Sequence, residues 1–229
     1  MAGGDSSRGA EWSCSSRGKL REPEESMSLN RKDFDRGVAY WRRRKWPADF
    51  HNAFYREMAN RDPHGDFNDD WWADFLLELR RWRATRRRGS DFLTSRARDR
   101  FSSLSAAWRD AVQPNLGQDI ETVEWSRVSA FPTLVAEIKD VASPVFASKF
   151  CHFLAPAIFP LVDNAAMGNP YATYEACFCA YRREWLSTDR STRELLTGRL
   201  ARLVGVPLVD GFPLKNKTVE LCLIGRCRG

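Results

Sequence analysis

The chain has no long apolar run, few cysteines and few histidines, and each shortage excludes a class of protein. No stretch approaches the ~18 consecutive apolar residues of a membrane-spanning helix, and the first 21 residues lack the apolar segment of a secretory signal. Six cysteines in 229 residues, with no export signal, indicate reduced thiols rather than a disulfide framework. We therefore expect a cytoplasmic protein that does not contact a membrane.

The scarce histidines and cysteines also form no recognisable metal or catalytic motif. Cys177 and Cys179 are two residues apart, so they would point in different directions on a helix, and Cys222 and Cys227 add no zinc-like spacing. His152 lies in an apolar segment, which favours a core histidine with satisfied ring nitrogens over a catalytic one. No phosphate-binding loop, nucleophile elbow or dinucleotide fingerprint occurs. The sequence therefore predicts neither a metal nor a cofactor.

Positive charge, in contrast, is abundant and concentrated in one third of the chain. The net charge is +6, and residues 30–110 hold 19 Lys and Arg against 13 Asp and Glu, whereas the rest is nearly neutral. Such an excess suits a polyanionic partner such as DNA or another nucleic acid. Arginine outnumbers lysine 29 to 7, which is also typical of the codon bias of a GC-rich genome. Charge alone leaves both interpretations open.

Two groups of arginines follow predicted helices and have tryptophans among them. The planar guanidinium matches phosphate oxygens, and Trp41, Trp46 and Trp82 are placed where they could stack on exposed bases. Alternatively, the cations only complement helix dipoles at C-termini. The residues predicted to bind nucleic acid are Arg42, Arg43, Arg44, Arg80, Arg83, Arg86, Arg87 and Arg88.

Apolar residues recur at helical spacing from residue 30 onward, and no pair of strands with a hairpin turn is evident, so we predict an all-α fold. Residues 1–29, rich in Gly, Ser, Glu and Arg, are predicted to be a disordered tail, and Met27 is an alternative start of translation. We expect roughly nine helices over residues 30–229. They would form one compact domain, or two lobes divided near Gly117 with a ligand cleft between them.

Local signals place several helix ends. Asn30, Ser143 followed by Pro144, and Asp189 are predicted N-caps, and Gly205 is a predicted C-terminal stop. Periodicity further predicts helices over 120–130 and 132–141, and a regular helix that opens at Pro170.

One stretch, residues 134–167, has a distinctive layout. Residues 134–141 and 145–154 are predicted helices separated by a sharp break at Ser143 and Pro144. An apolar segment over 156–162 then leads to Asp163 at the start of another helical segment. This layout resembles the helix-hairpin-helix DNA glycosylase superfamily, in which a hairpin is followed by a helix, a short apolar segment and an Asp at the mouth of the substrate cleft.

The resemblance implies a helix-hairpin-helix-like C-terminal part and an enzyme that flips a base into a pocket. Asp163 would be its catalytic residue, stabilising the cationic sugar as the base leaves, although Asp163 also suits a simple N-cap. The hairpin turn lacks the family's glycines, and Pro144 and Val145 occupy the place of the lyase-type lysine. Lys149 is one turn further along and does not match that position, so no Schiff-base chemistry is implied.

These observations predict a nucleic-acid-binding helical protein similar to helix-hairpin-helix DNA glycosylases, whose chemistry would be monofunctional base excision. The alternative is a non-enzymatic factor, regulatory or defensive, that binds DNA or a protein partner on the same scaffold. A third hypothesis is an enzyme that acts on an unrelated small substrate. In the first case Trp72 or Tyr171 is a further candidate for stacking on the extruded base.

Overall fold

The computed structural model describes residues 28–61, 63–85, 90–139, 143–168 and 171–228. Across these ranges every regular element is helical, which confirms the all-α prediction. Met27 and nearly all of the predicted tail lie outside the described residues. Leu29, at the end of that predicted tail, is part of the core: it is 2% exposed, and its amide donates to Thr188 Oγ1 at 2.8 Å.

Twelve α-helices lie in the described ranges, more than the nine predicted. Ser90–Arg98, which has a weak apolar stripe, was not predicted, whereas the short helix Trp125–Val128 lies within the helix predicted over 120–130. A π-helix, Trp108–Val112, and a 3₁₀ turn, Gln113–Asn115, continue the α-helix Phe101–Ala107. In chain order the α-helices are α1 Arg31–Arg43, α2 Asn52–Ala59, α3 Asp69–Arg81, α4 Ser90–Arg98, α5 Phe101–Ala107, α6 Trp125–Val128, α7 Ala130–Ala136, α8 Pro144–Leu154, α9 Asn164–Met167, α10 Tyr174–Ser187, α11 Arg190–Val204 and α12 Leu214–Arg228.

The predicted caps are confirmed. The side chains of Asn30, Ser143 and Asp189 each accept from a backbone amide in the first turn of α1, α8 and α11 respectively. Gly205 ends α11 with φ at 74°, a left-handed conformation that glycine adopts without strain. These boundaries depend only on neighbouring residues, so a single sequence can reveal them.

Other boundaries were predicted wrongly. The helix expected to open at Pro170 begins at Tyr174, because Thr173 caps it by accepting from the amide of Ala176. The helix expected over 120–130 is a turn followed by the short α6. The side chain of Asp119 accepts from the amide of Glu121, its carbonyl accepts from the next two amides, and such local bonds compete with helix formation.

Helices α1 and α12 cross at very close range through two glycines. A Cβ atom at Gly37 would collide with the carbonyl oxygen of Leu221, and one at Gly225 would collide with that of Asp33. Glycine is therefore required at both positions by the space available. The crossing buries the middle of α12, including Leu221 and the charged residues Lys217 and Glu220.

The core is one continuous cluster, and α8 runs through its centre. Residues 146–153 of α8 are buried on every side, so that polar residues of this helix also face the interior. Trp72 belongs to this core: it is 1% exposed and its indole donates to Thr94 Oγ1, so it cannot stack on a bound base. No described helix is long and apolar enough to cross a membrane.

A candidate active-site cleft

A cleft of about 780 Å³ opens between the first three helices and the C-terminal half of the molecule. One wall consists of the chain after α1, the start of α2 and the end of α3. The other consists of α8, the segment 161–165 and one residue of α12. The lining residues therefore come from both sides of Gly117. We call this the main cleft.

Asp163 lies in the main cleft and caps α9. Its Oδ1 accepts from the amide of Ala166 at 3.1 Å, which confirms the predicted N-cap, and the residue is half-buried. The apolar segment before it is fixed by hydrogen bonds. Tyr181 Oη donates to the Leu161 carbonyl at 2.9 Å, and the Val162 amide donates to Ser148 Oγ at 3.1 Å. The carboxylate is thus held in a defined position at the cleft wall.

Lys149 also lines the main cleft, although its sequence position does not match the family's lysine. Its Nζ donates to the carbonyl of Trp82 at 2.5 Å, and the residue is only 8% exposed. Burial lowers its pKa, and the nearby Asp163 carboxylate partly opposes this shift. Residues four apart share a face of a helix, so Lys149 enters the cleft on the same side of α8 as Val145. That relation was present in the sequence and makes Lys149 a candidate site residue.

Aromatic rings form the opposite wall of the main cleft. The ring centroids of His51 and Trp82 are 4.4 Å apart, those of Trp41 and Trp46 are 4.7 Å apart, and Phe54 lies 4.6 Å from Trp82. Trp41 is buried behind the wall, whereas Trp46 and Trp82 are half-exposed and present ring surface to a ligand. Of the aromatics predicted to stack, these two have the required position.

The backbone around this wall is strained. Lys45, Phe50, His51 and Arg83 have positive φ angles of 54°, 51°, 70° and 57° without being glycine. Such conformations cost on the order of 1–3 kcal/mol each and cluster at functional sites. His51 and Arg83 line the cleft, and Lys45 and Phe50 adjoin residues that do.

The predicted arginines are only partly brought together. Arg44 and Arg83 line the main cleft, joined by Arg81, which was not in the predicted set. Arg42 and Arg43 are exposed at the end of α1 and do not line it. The remaining three of the second group, Arg86, Arg87 and Arg88, lie outside the described residues, and Arg80 is half-buried away from the cleft.

A buried polar cluster lies beneath the main cleft and was missed by sequence reasoning. Glu220 lines the cleft and pairs with Lys217, Nζ to Oε2 at 2.6 Å, and Tyr55 donates to or accepts from His152 at 2.8 Å. The four residues are at most 3% exposed. A lysine and a glutamate three apart in the apolar stretch 216–224 were the only sequence signal for this cluster.

His51 and His152 are both kept neutral by burial. Burial, followed by the charge of Lys217, lowers the pKa of His152 to about 3 and that of His51 to about 2. The His152 ring nitrogens are satisfied by Tyr55 and by the Phe159 carbonyl, which confirms the predicted core histidine.

A second cleft, of about 710 Å³, lies on the other side of α12. Its charged residues are paired with one another: Lys215 bonds Asp119 at 2.7 Å and also Glu121, and Arg193 bonds Glu121 at 2.8 Å. Lys215 lowers the pKa of Glu121 by hydrogen bonding to its carboxylate.

Cysteines contribute no candidate site in the described part of the chain. Cys151, Cys177 and Cys222 are buried, and burial raises the pKa of each thiol. Within the described ranges no three metal-ligating side chains are grouped.

Comparisons with protein-family models, with curated proteins and with solved structures found no match for this chain. The likeness to helix-hairpin-helix glycosylases stays a prediction.

Proposed function

We propose that the protein binds DNA and excises a base in the main cleft. The observation that carries this proposal is the grouping of Asp163 and Lys149 in one cleft, opposite half-exposed tryptophans and below arginines. A carboxylate can stabilise positive charge on a sugar, an amine can attack it, aromatic rings can stack on an extruded base, and arginines can hold phosphates.

The position of Lys149 favours an amine route over the hydrolytic route predicted from sequence. Burial lowers the pKa of Lys149, which increases the fraction of neutral amine able to attack. Its Nζ would form a bond to C1′ of the sugar while the bond from C1′ to the base breaks. The base leaves with the bonding electrons and takes up the proton that the attacking nitrogen releases. Asp163 stabilises the cationic sugar in this step. The C1′–O4′ bond of the ring then breaks, O4′ takes up a proton from water, and the imine between Nζ and C1′ is hydrolysed by water to the free amine and the sugar aldehyde.

An excision assay with a panel of duplexes, each containing one altered base, tests the proposal. We expect release of at least one base, and we expect borohydride to reduce the imine and leave a covalent protein–DNA adduct. Asp163→Asn should reduce excision by at least about 100-fold, the usual scale for a charged catalytic group. Lys149→Gln should abolish the adduct.

Lys215→Gln is the matched control, since it removes a lysine from the second cleft and should leave excision and the adduct unchanged. Excision without an adduct would return the mechanism to hydrolysis assisted by Asp163. Salt-sensitive duplex binding without excision of any base in the panel would overturn the enzymatic proposal and indicate a non-enzymatic DNA-binding factor.

A further inference from the structure

The buried cluster beneath the main cleft has no role in the excision step described above. Burying an ion pair such as Lys217 with Glu220 usually costs more free energy than an apolar pair of similar size. Both residues are at most 3% exposed, yet Glu220 reaches the cleft lining. This placement, costly for stability, suggests that the pair serves the ligand.

The proton positions in the cluster follow from its acceptors. His152 Nδ1 lies 2.6 Å from the Phe159 carbonyl oxygen, which can only accept, so Nδ1 carries the proton. Nε2 is then an acceptor, and Tyr55 must donate its hydroxyl proton to it across 2.8 Å. Burial also raises the pKa of Tyr55 to about 12, which keeps this hydroxyl protonated. The phenol is therefore fixed as a neutral neighbour of Lys217.

Lys217 is held as an ammonium at the centre of this cluster. Its Nζ lies 2.6 Å from Glu220 Oε2 and 4.9 Å from the centroid of the Trp41 ring. Burial lowers its pKa, but the Glu220 carboxylate and Tyr55 more than offset this, so the pKa is raised overall. Burial raises the pKa of Glu220, and the Lys217 ammonium opposes this shift by pairing with Oε2 at 2.6 Å. The contact with Lys217 therefore favours a carboxylate, which only accepts hydrogen bonds, at the cleft lining.

Oε2 of Glu220 already accepts from Lys217, but each carboxylate oxygen has two lone pairs, so the two oxygens can still accept from two parallel donors. Among the bases, guanine-type rings present such a pair on one edge, the ring N1–H and the 2-amino group. Hypoxanthine offers only the first of these donors, and adenine places an acceptor beside its amino group. The half-exposed rings of Trp46 and Trp82 are available to stack on a purine held at this carboxylate.

We infer that Glu220, held by Lys217, makes the main cleft selective for a base with a guanine-type donor edge. This inference rests on the proposed function, because it assumes that the cleft receives a base. It assigns Glu220 as a specificity-determining residue that does not take part in bond breaking.

Guanosine and inosine form a matched pair of probes, since they differ only in the 2-amino group. Their binding to the whole protein can be followed through the fluorescence of the cleft tryptophans, with adenosine as a third probe. We expect guanosine to bind about tenfold more tightly than inosine or adenosine, the scale of one hydrogen bond to a charged group. In Glu220→Gln the preference for guanosine over inosine should fall to twofold or less.

Glu121→Gln is the control, because it also removes the charge from a glutamate paired with a lysine of α12, but in the second cleft. It should keep the preference. If Glu220→Gln does not fold, Lys217→Met combined with Glu220→Gln leaves no unpaired charge and should show the same loss.

Equal binding of guanosine and inosine by the unmodified protein would overturn the inference, and so would the absence of nucleoside binding. Neither result decides the proposed function, which depends on the excision assay with Asp163→Asn. Excision without a preference for guanosine would contradict this inference alone. A preference for guanosine without excision would contradict the enzymatic proposal and indicate a cleft that only binds purines.

Discussion

Two lysines of α12 lie two residues apart and serve clefts on opposite sides of the helix. Lys215 faces the second cleft, where it pairs with Asp119 and Glu121, while Lys217 lies beneath the main cleft with Glu220. Residues two apart on a helix point in nearly opposite directions, which explains how one turn supplies both sites. The side chain of Lys215 is 28% exposed and that of Lys217 is fully buried.

The two clefts differ in the groups that bind their charged side chains. In the second cleft opposite charges bind each other, so their hydrogen-bonding capacity is already used within the protein. In the main cleft Glu220 is paired in the same way with Lys217, but Asp163 and Lys149 bond to neutral backbone groups, the Ala166 amide and the Trp82 carbonyl. Charges held by dipoles keep their attraction for a charged ligand or transition state. The second cleft is thus a closed network of ion pairs, whereas Asp163 and Lys149 have no ion-pair partner of this kind among the described residues and suit the chemistry that we propose for the main cleft.

The largest expected effect is on stability at the buried pair. Lys217→Met should lower the free energy of unfolding by about 3–5 kcal/mol, because it leaves the Glu220 carboxylate buried and unpaired. Urea denaturation measures this. Lys217→Met combined with Glu220→Met should recover most of the loss, since an apolar pair needs no desolvation of charge. A double variant as unstable as the single one would show that the pair itself stabilises the fold.

Lys149→Met should separate activity from stability. We expect excision to fall at least about 100-fold, a loss of about 2.7 kcal/mol of transition-state stabilisation. The free energy of unfolding should change by less than about 1 kcal/mol, because Met replaces a desolvated ammonium of similar shape. Excision rates and urea midpoints on the same preparation give both numbers. A parallel fall in both would make Lys149 a structural residue.

The titrating groups of the two clefts should also lower the free energy of unfolding at different pH values. Burial keeps the pKa of His152 at about 3 and that of His51 at about 2, below the ordinary value near 6.5. Between the pKa of each histidine in the folded chain and its ordinary pKa near 6.5, the unfolded chain binds a proton that the folded chain does not. The free energy of unfolding therefore falls as pH drops below about 6.5, by about 1.4 kcal/mol per pH unit for each histidine.

In the second cleft the loss of folding stability begins at a lower pH. The pKa of Glu121 is lowered by Lys215, so its contribution is present above the ordinary carboxyl value of 4.5 and disappears as pH falls below it. Urea midpoints between pH 7 and pH 4 should thus fall from about pH 6.5 in the parent. In Glu121→Gln the urea midpoint should still fall from about pH 6.5, and its dependence on pH should become flatter only near pH 4. A curve level down to pH 5 would contradict neutral buried histidines.

A smaller effect is expected at the rim of the main cleft. Arg83→Ala should weaken duplex binding several-fold and reduce the slope of log affinity against log salt by about 1, the amount for one phosphate contact. Arg202→Ala, an exposed arginine of α11, is the control and should change neither quantity. Equal effects of the two variants would indicate that only net charge attracts DNA.

The smallest effect is predicted for Lys215→Met. Its ion pairs are partly exposed and screened, so the free energy of unfolding should fall by only about 0.5–1 kcal/mol. Duplex binding and excision should not change. Loss of DNA binding in this variant would break the distinction between the two clefts.

The sequence predicted those parts of the fold that depend on neighbouring residues. Asn30, Ser143 and Asp189 were identified as caps because each bonds an amide three residues away. Trp72 was assigned to a stacking role wrongly, because periodicity shows which face of a helix is apolar and not how deeply that face is covered.

The site was predictable only in part for a related reason. Asp163 was found through a local pattern, and Lys149 could have been found from its spacing to Val145. Lys217 and Glu220 could not have been found from the sequence, because they reach the cleft only when α12 packs against α1. Contacts between such distant segments follow from tertiary packing, which no short motif encodes.

The glycine crossing of α1 and α12 has a consequence for how the protein is made. The two helices are the first and last of the described elements, so the ribosome releases α1 long before its partner. At about 5–20 residues per second, roughly 10–40 s pass between the two events. Throughout that interval the face of α1 that carries Phe34, Gly37 and Trp41 has no α12 to cover it. Nascent chains would therefore expose this apolar face of α1 to chaperones until α12 has been synthesised.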